Sequence, residues 1–140
     1  MRVITGLDLA VGEWVAKQIE PHYSIDKFWP CTAMGFEKDG ELIAGVMYHN
    51  YRKTDIELSA AAINERWLSR KNLQEIFNYP YNQLGCIRTT AVTGRKNRRA
   101  RKLLEGLGYR LEGVCRLGWE GKQDAFIYGM TKDECKWITP

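Results

Sequence analysis

Histidine is nearly absent from this chain, occurring only as His22 and His49, and the four cysteines (Cys31, Cys86, Cys115 and Cys135) lie far apart with no C-x-x-C pair. Metal-ligand spacing is therefore missing, and the expectation is no bound metal and reduced, mostly buried thiols. There is no G-x-S-x-G element and no convincing Ser/His/Asp set, so nothing marks a covalent nucleophile. No apolar run approaches the roughly 20 residues of a membrane helix, and the N-terminus lacks the basic-then-apolar pattern of a signal peptide, which makes a cytoplasmic protein without a membrane partner the expectation. Repeats, linkers and low-complexity stretches are missing too. Residues 1–140 are thus expected to form one domain, long enough to bury a sizeable core, since chains of this size bury about 70% of their unfolded surface.

Charge is plentiful and nearly balanced. Twenty-one Lys and Arg against 17 Asp and Glu leave a net charge of +4, which suits a polyanionic ligand but falls short of a dedicated nucleic-acid binder. At 44% hydrophobic and 27% charged residues, the chain is an ordinary globular protein.

Helical spacing of Leu7, Val11, Trp14, Val15 and Ile19 predicts an amphipathic helix stopped by Pro21. Residues 22–30 form an aromatic-rich loop. Cys31 to Glu37 and Glu41 to Tyr51 are strand-like runs joined through Asp39-Gly40, a strong hairpin signal, and Gly45 marks a bulge or a close backbone approach. The strand Ile56 to Ile63 alternates so that Glu57, Ser59, Ala61 and Ile63 share one face; its small residues would let a ligand or another backbone come close. An imperfect helical stripe of Leu68, Leu73, Ile76 and Phe77 ends at Tyr79-Pro80. A strand (Cys86 to Thr93), a glycine turn, a helix closed by Gly108 and a final hairpin (Tyr109 to Trp119, Asp124 to Thr131) complete the chain, with a tail packed by Trp137. The order helix, hairpin, strand, helix, strand, helix, hairpin implies an α+β fold with one mixed central sheet.

The stretch from Arg95 to Lys102 holds the most informative charge. Six of its eight residues are basic (Arg95, Lys96, Arg98, Arg99, Arg101, Lys102) and they crowd a helix start, where cations are disfavoured by roughly 0.3–1 kcal/mol each. A bound anion removes that conflict, because amides, dipole and side chains then converge on it; a solvated basic face is the alternative.

Asn97-x-x-Ala100, followed by Leu103-Leu104-Glu105-Gly106-Leu107-Gly108-Tyr109-x-x-Glu112-Gly113, resembles the closing segment of the GNAT N-acetyltransferases. The order of elements extends the resemblance over nearly the whole chain, and it looks closest to the small stand-alone members of bacteriophages and bacteria. The resemblance implies a GNAT-like sheet of about six to seven strands flanked by helices. It also implies an enzyme that moves an acetyl group from acetyl-CoA to a primary amine by direct attack, as a monomer or homodimer, with the acceptor unidentified.

Carried over, the coenzyme arm lies along Ser59 to Ile63, with Ala61, Ala62 and Ile63 in contact, and the phosphates lie on the loop Arg66 to Asn72, through Leu68, Ser69, Arg70, Lys71 and Asn72. The family's usual Arg/Gln-x-x-Gly-x-Gly/Ala here reads Arg66-Trp67-Leu68-Ser69-Arg70-Lys71, so both small positions are changed. Asn97 matches a coenzyme-contacting position and also suits a plain N-cap; Arg98, Arg101 and Lys102 are candidates for the adenosine 3′-phosphate. Leu104 stands where relatives often have a tyrosine acid, leaving Tyr128 as a candidate, whereas Tyr109 suits the core. Glu57 is the candidate base and His49 a weaker one. Two alternatives stay open: a GNAT-derived binding protein without catalysis, and a nucleic-acid binder using the basic helix with Trp67 and Tyr79 stacking nearby.

Overall fold

A computed structural model describes residues 1–139. Seven strands, β1 (Arg2–Ile4), β2 (Cys31–Lys38), β3 (Glu41–His49), β4 (Asp55–Ala62), β5 (Arg88–Gly94), β6 (Arg110–Trp119) and β7 (Gln123–Thr131), form one sheet in the order β1-β2-β3-β4-β5-β7-β6. All neighbours are antiparallel except β4 and β5. Three helices flank the sheet: α1 (Asp8–Ile19), α2 (Arg70–Asn78) and α3 (Arg98–Leu107). The expected α+β layout with a mixed sheet is what forms.

The β2–β3 hairpin turns on Asp39 (φ 53°) and Gly40 (φ 80°), the paired left-handed geometry that matches strand twist. Gly35 and Gly45 face each other across this hairpin. A β-carbon on Gly45 would lie 2.5 Å from Val15 Cγ2, and one on Gly35 would lie 3.2 Å from Val11 Cγ2. The two bare positions are the seat into which the apolar stripe of α1 descends. Asp8 Oδ1 then accepts the amide of Ala33 at 2.9 Å and pins the start of α1 to β2.

Helices α2 and α3 cover the opposite face, over Phe36, Tyr48, Ile56, Ala91, Tyr128 and Met130. Three buried hydroxyls satisfy one another there: Thr89 Oγ1 lies 2.8 Å from Tyr109 Oη and 2.9 Å from Tyr81 Oη, which donates to Met130 O. Tyr109 is thus a core residue, 4% exposed. At the start of β5, Arg88 joins three strands, reaching Asp55 at 3.5 Å and Glu112 at 2.7 Å.

Some elements differ from expectation. Strand β1 is too short to show a period, and it forms because β2 offers it a partner edge. Helix α2 begins only at Arg70, capped by Ser69, and runs into one wide turn, Tyr79–Gln83, in which Leu84 N–H bonds Tyr79 O at 3.0 Å, because Pro80 has no amide to continue the ladder. Cys86 precedes β5 and is buried with Cys135, but Cys115 is exposed on β6; all four are free thiols.

Candidate functional site

The parallel ladder between β4 and β5 holds for only three pairs, Asp55 with Arg88, Ile56 with Thr89 and Glu57 with Thr90. Beyond Glu57 and Thr90 the strands diverge, each still paired on its outer side, β4 to β3 and β5 to β7. A cleft of about 720 Å3 opens between them. Ile63 N–H bonds Ile43 O at 2.9 Å, so the alternation of the antiparallel β3–β4 ladder turns the backbone groups of Ala61 and Ile63 toward β3 and those of Ala60 and Ala62 toward the gap. Backbone donors and acceptors therefore line a space that another strand would normally fill.

On the α1 face of the gap, Glu57 and Ser59 project from β4 into the cleft. His49 on β3, 5% exposed, has Nε2 2.8 Å from Ser59 Oγ and 3.8 Å from Glu57 Oε2, while Asn50 Nδ2 donates to Glu57 Oε1 at 3.1 Å. Burial lowers the His49 pKa to about 4, so near neutral pH the imidazole is uncharged and its contact with Glu57 is not an ion pair. Burial also raises the Glu57 carboxyl above its ordinary value, Asn50 opposing in part. A carboxylate with raised proton affinity, held at a fixed angle beside a cleft, is suited to accept a proton. Phe28 lies edge-on to His49 at 5.1 Å and to Tyr23 at 6.0 Å, and the Tyr23 hydroxyl donates to Glu120 Oε1 on the β6–β7 turn.

On the opposite face, the loop 64–69 is anchored by Trp67, which is buried against Phe36 at 5.4 Å. Asn72 Nδ2 holds Trp67 O at 2.7 Å from inside the first turn of α2. Ser69 Oγ takes the Asn72 amide, leaving the Arg70 and Lys71 amides at the open helix start. Asn97 caps α3 through Ala100 N–H at 3.1 Å and, with Lys96, Ala100, Leu103 and Leu104, forms the cleft wall facing β4. Arg99 Nε meets Glu65 Oε1 at 3.1 Å, spanning from α3 to the loop. Arg95, Lys96, Arg98 and Lys102 form no ion pair among the described residues.

The fold thus brings Glu57, Ala61, Leu68 and Asn97 to one cleft, with Ala62 presenting its backbone and Ser69, Arg70 and Lys71 at the α2 start. It places others elsewhere. Tyr128 is fully buried beneath α3, its hydroxyl donating to Glu105 Oε2 at 2.9 Å and accepting from Arg101 Nε at 3.3 Å, because even-numbered residues of β7 face that helix. Arg101 is spent on the same contact, on Arg95 O at 3.0 Å and on the Phe126 ring at 4.5 Å, while Arg98 stays exposed. Asn72 braces the loop from within, and Ile63 gives its amide to β3. Trp67 is buried and Tyr79 packs on Tyr48 at 4.9 Å, so neither offers a base-stacking surface. Ala60, Tyr23, Trp119, Glu120 and Gln123 line the cleft without having been singled out. Strand register would have marked Ala60; Tyr23 and Glu120 come from a loop and a turn, and Trp119 and Gln123 from the strand ends beside that turn, none with a local signal. No group of three or more His, Cys, Asp or Glu among the described residues is arranged to hold a metal ion, and no described helix is long and apolar enough to cross a membrane.

No family model and no curated protein sequence matches the chain. Solved structures do. A variant of the spermidine N-acetyltransferase of Vibrio cholerae superposes with a TM-score of 0.70 at 14% identity, covering 94% of this chain and 95% of the other. The ribosomal-protein-S5-alanine acetyltransferase of Vibrio fischeri gives 0.69 at 12% identity (96% and 94% covered), and a GNAT-family acetyltransferase of Bacillus anthracis gives 0.64 at 16% identity (89% of each). The chain has the GNAT fold, and the expected resemblance holds at the level of architecture.

Proposed function

We propose that the protein is an N-acetyltransferase that uses acetyl-CoA as donor and a primary amine as acceptor. The observation that carries this reading is the interrupted β4–β5 ladder: the backbone of Ala60 and Ala62 faces a cleft whose rim is the start of two helices. An extended pantetheine arm, itself rich in amides, is a natural substitute for the missing strand. Its pyrophosphate fits the Arg70 and Lys71 amides and the four unpaired cations of the α3 start. The changed loop supports this reading differently from the family pattern, with Trp67 and Asn72 fixing a curve that small residues fix elsewhere.

Chemistry requires little more than alignment. The neutral amine nitrogen attacks the thioester carbonyl carbon, the carbon–sulfur bond breaks, the ammonium proton passes to Glu57 directly or through water, and the thiolate takes a proton from solvent. With Tyr128 committed beneath α3 and Ala100, Leu103, Leu104 and Leu107 facing the cleft, α3 itself offers no side-chain acid there.

Calorimetric titration of acetyl-CoA tests the donor site. Micromolar binding is expected, weakened about tenfold in a Lys71→Ala, Arg98→Ala variant through loss of phosphate contacts. No binding by the native chain overturns the proposal. Binding with no thiol release from any amine points instead to a binding protein on the same fold.

A further inference from the structure

The side chain of Gln123, the first residue of β7, spends only one end of its amide on the protein. Its Oε1 accepts the backbone N–H of Lys96 at 2.7 Å, which fixes the amide's orientation, since only the oxygen can face a donor. The Nε2 group, with two N–H donors, has no hydrogen-bond partner among the described residues, and Gln123 lines the cleft together with Gly94, Lys96 and Asn97. The side chain reaches this place because position 94 is bare. A β-carbon there would lie 2.7 Å from Gln123 Oε1, 2.8 Å from Cδ and 3.0 Å from Nε2, so the amide lies face-on over the Gly94 α-carbon. The turn beneath it is held without the Nε2 donors: Arg95 N–H bonds Asp124 O at 2.9 Å, and Asn97 N–H bonds Gly94 O at 3.0 Å. A brace for the Lys96 amide needs only an acceptor, which a carboxylate supplies more strongly. What the neutral amide adds is a donor, and it adds it without setting a negative charge where anionic phosphates have to pass.

We infer that Gln123 is a coenzyme-binding residue, whose Nε2 donates to an amide carbonyl oxygen of the pantetheine arm from the β5 side of the cleft. The inference rests on the acetyltransferase reading above. Gly94 is the last residue of β5 and the one farthest from the three-pair ladder, so the gap between the diverging strands is widest there. An arm paired with the backbone of β4 at the usual strand spacing of about 4.8 Å leaves the β5 edge out of hydrogen-bonding reach at that end. A side chain laid across the bare Gly94 supplies the reach that the β5 backbone lacks. The chemistry also selects the arm over the acceptor: an amide carbonyl matches a free N–H donor, whereas the attacking end of an amine carries donors of its own.

The test is calorimetric titration of the full chain with two ligands, acetyl-CoA and adenosine 3′,5′-bisphosphate, which carries phosphates of the coenzyme's nucleotide end but no arm. Three variants separate the two ends of the amide. Gln123→Leu removes both, Gln123→Glu keeps an acceptor for the Lys96 amide but loses the donors, and Gly94→Ala pushes the amide aside with its β-carbon while Gln123 stays in the chain. In each, the ratio of Kd for acetyl-CoA to Kd for the bisphosphate is expected to rise about tenfold, the effect of losing one hydrogen bond to the arm. Binding of the bisphosphate reports in the same experiment that the variant is folded. A ratio unchanged in all three variants, with both ligands weakened alike, makes Gln123 a brace of the α3 start and overturns the inference alone. Failure of the native chain to bind acetyl-CoA overturns the acetyltransferase reading and this inference with it.

Discussion

Glu57 and His49 titrate in opposite directions for the same reason, which is burial: the charged form of each is the one that loses hydration. If Glu57 is the proton acceptor, it works only as a carboxylate, and its raised pKa moves the loss of activity upward in pH. The pH profile of kcat/KM is expected to fall on the acid side with a midpoint above the ordinary glutamate value of about 4.3. In Glu57→Gln the part of the acid-side fall due to the carboxylate should vanish, leaving the slope set by protonation of the amine itself, with kcat/KM down about a hundredfold or more; a variant with the native profile removes Glu57 from the mechanism. His49 has a stability consequence of its own. Its folded pKa of about 4 lies below the unfolded value of about 6.5, so its contribution is complete above pH 6.5 and is lost as pH falls toward 4. The whole loss is about 3 kcal/mol at most. Urea unfolding at a series of pH values between 7 and 4 should therefore give a shallower decline for His49→Gln than for the native protein. Glu57 was legible as a face residue of a strand, but its partners were not, since His49 and Asn50 reach it across the β3–β4 ladder.

At the scale of elements, two joints invite measurement. Gly45 lets α1 approach the sheet, and Gly45→Ala puts a β-carbon 2.5 Å from Val15 Cγ2, inside any van der Waals limit. A loss of about 1–3 kcal/mol is expected, typical of overpacking. Val15→Ala in the same chain should cost less than it does alone, since it vacates the contested space; strictly additive losses would show that the seat is not the cause. Asn97→Ala removes the α3 cap and should cost about 1 kcal/mol in the same unfolding assay, even without ligand. The glycine at 45 was readable as a bulge or a close approach, and Asn97 as a coenzyme contact or a cap; the close approach of α1 and the cap are what form. The loop at 64–69 was assigned to the site only through the resemblance, in its part from Arg66 on, and the turn at 119–122 was not readable as a cleft wall. Their positions follow from Trp67 seeking Phe36 and from the β6–β7 hairpin folding beside β5, which are long-range events without a local pattern.

For the whole molecule, the fold class and element order could be read from periodicity and glycine placement, and the cleft from the small residues of β4. The misplaced residues share a cause. Tyr128, Arg101 and Asn72 were assigned by position along the chain, and all three turned out to face a neighbouring element. Which face a helix or strand presents depends on register, and register is settled by burial of the whole sheet. The gap itself makes a molecule-wide prediction. The amides of Ala60 and Ala62 lack a strand partner, so they should exchange with solvent faster than those of Ala61 and Ile63, and acetyl-CoA should slow them selectively. Equal protection with and without donor would mean that nothing binds along β4.

The Arg88 junction gives the gap a mechanical character. Arg88 ties β4, β5 and β6 together at the closed end of the three-pair ladder, two residues before the strands part. The sheet thus has two parts, β1 to β4 and β5 with β7 and β6, joined by a short ladder of three residue pairs. Beyond it β4 runs free of β5 for five residues, Leu58–Ala62, or roughly 17 Å of lever arm at about 3.3 Å per residue. A pivot of about 5° at that ladder then shifts the tip by about 1.5 Å, the difference between gripping an extended chain and letting it go. A movement of that size would leave the β3–β4 and β5–β7 ladders intact and would bend only the three-pair ladder, which the Arg88 guanidinium clasps like the spring of a clothes peg.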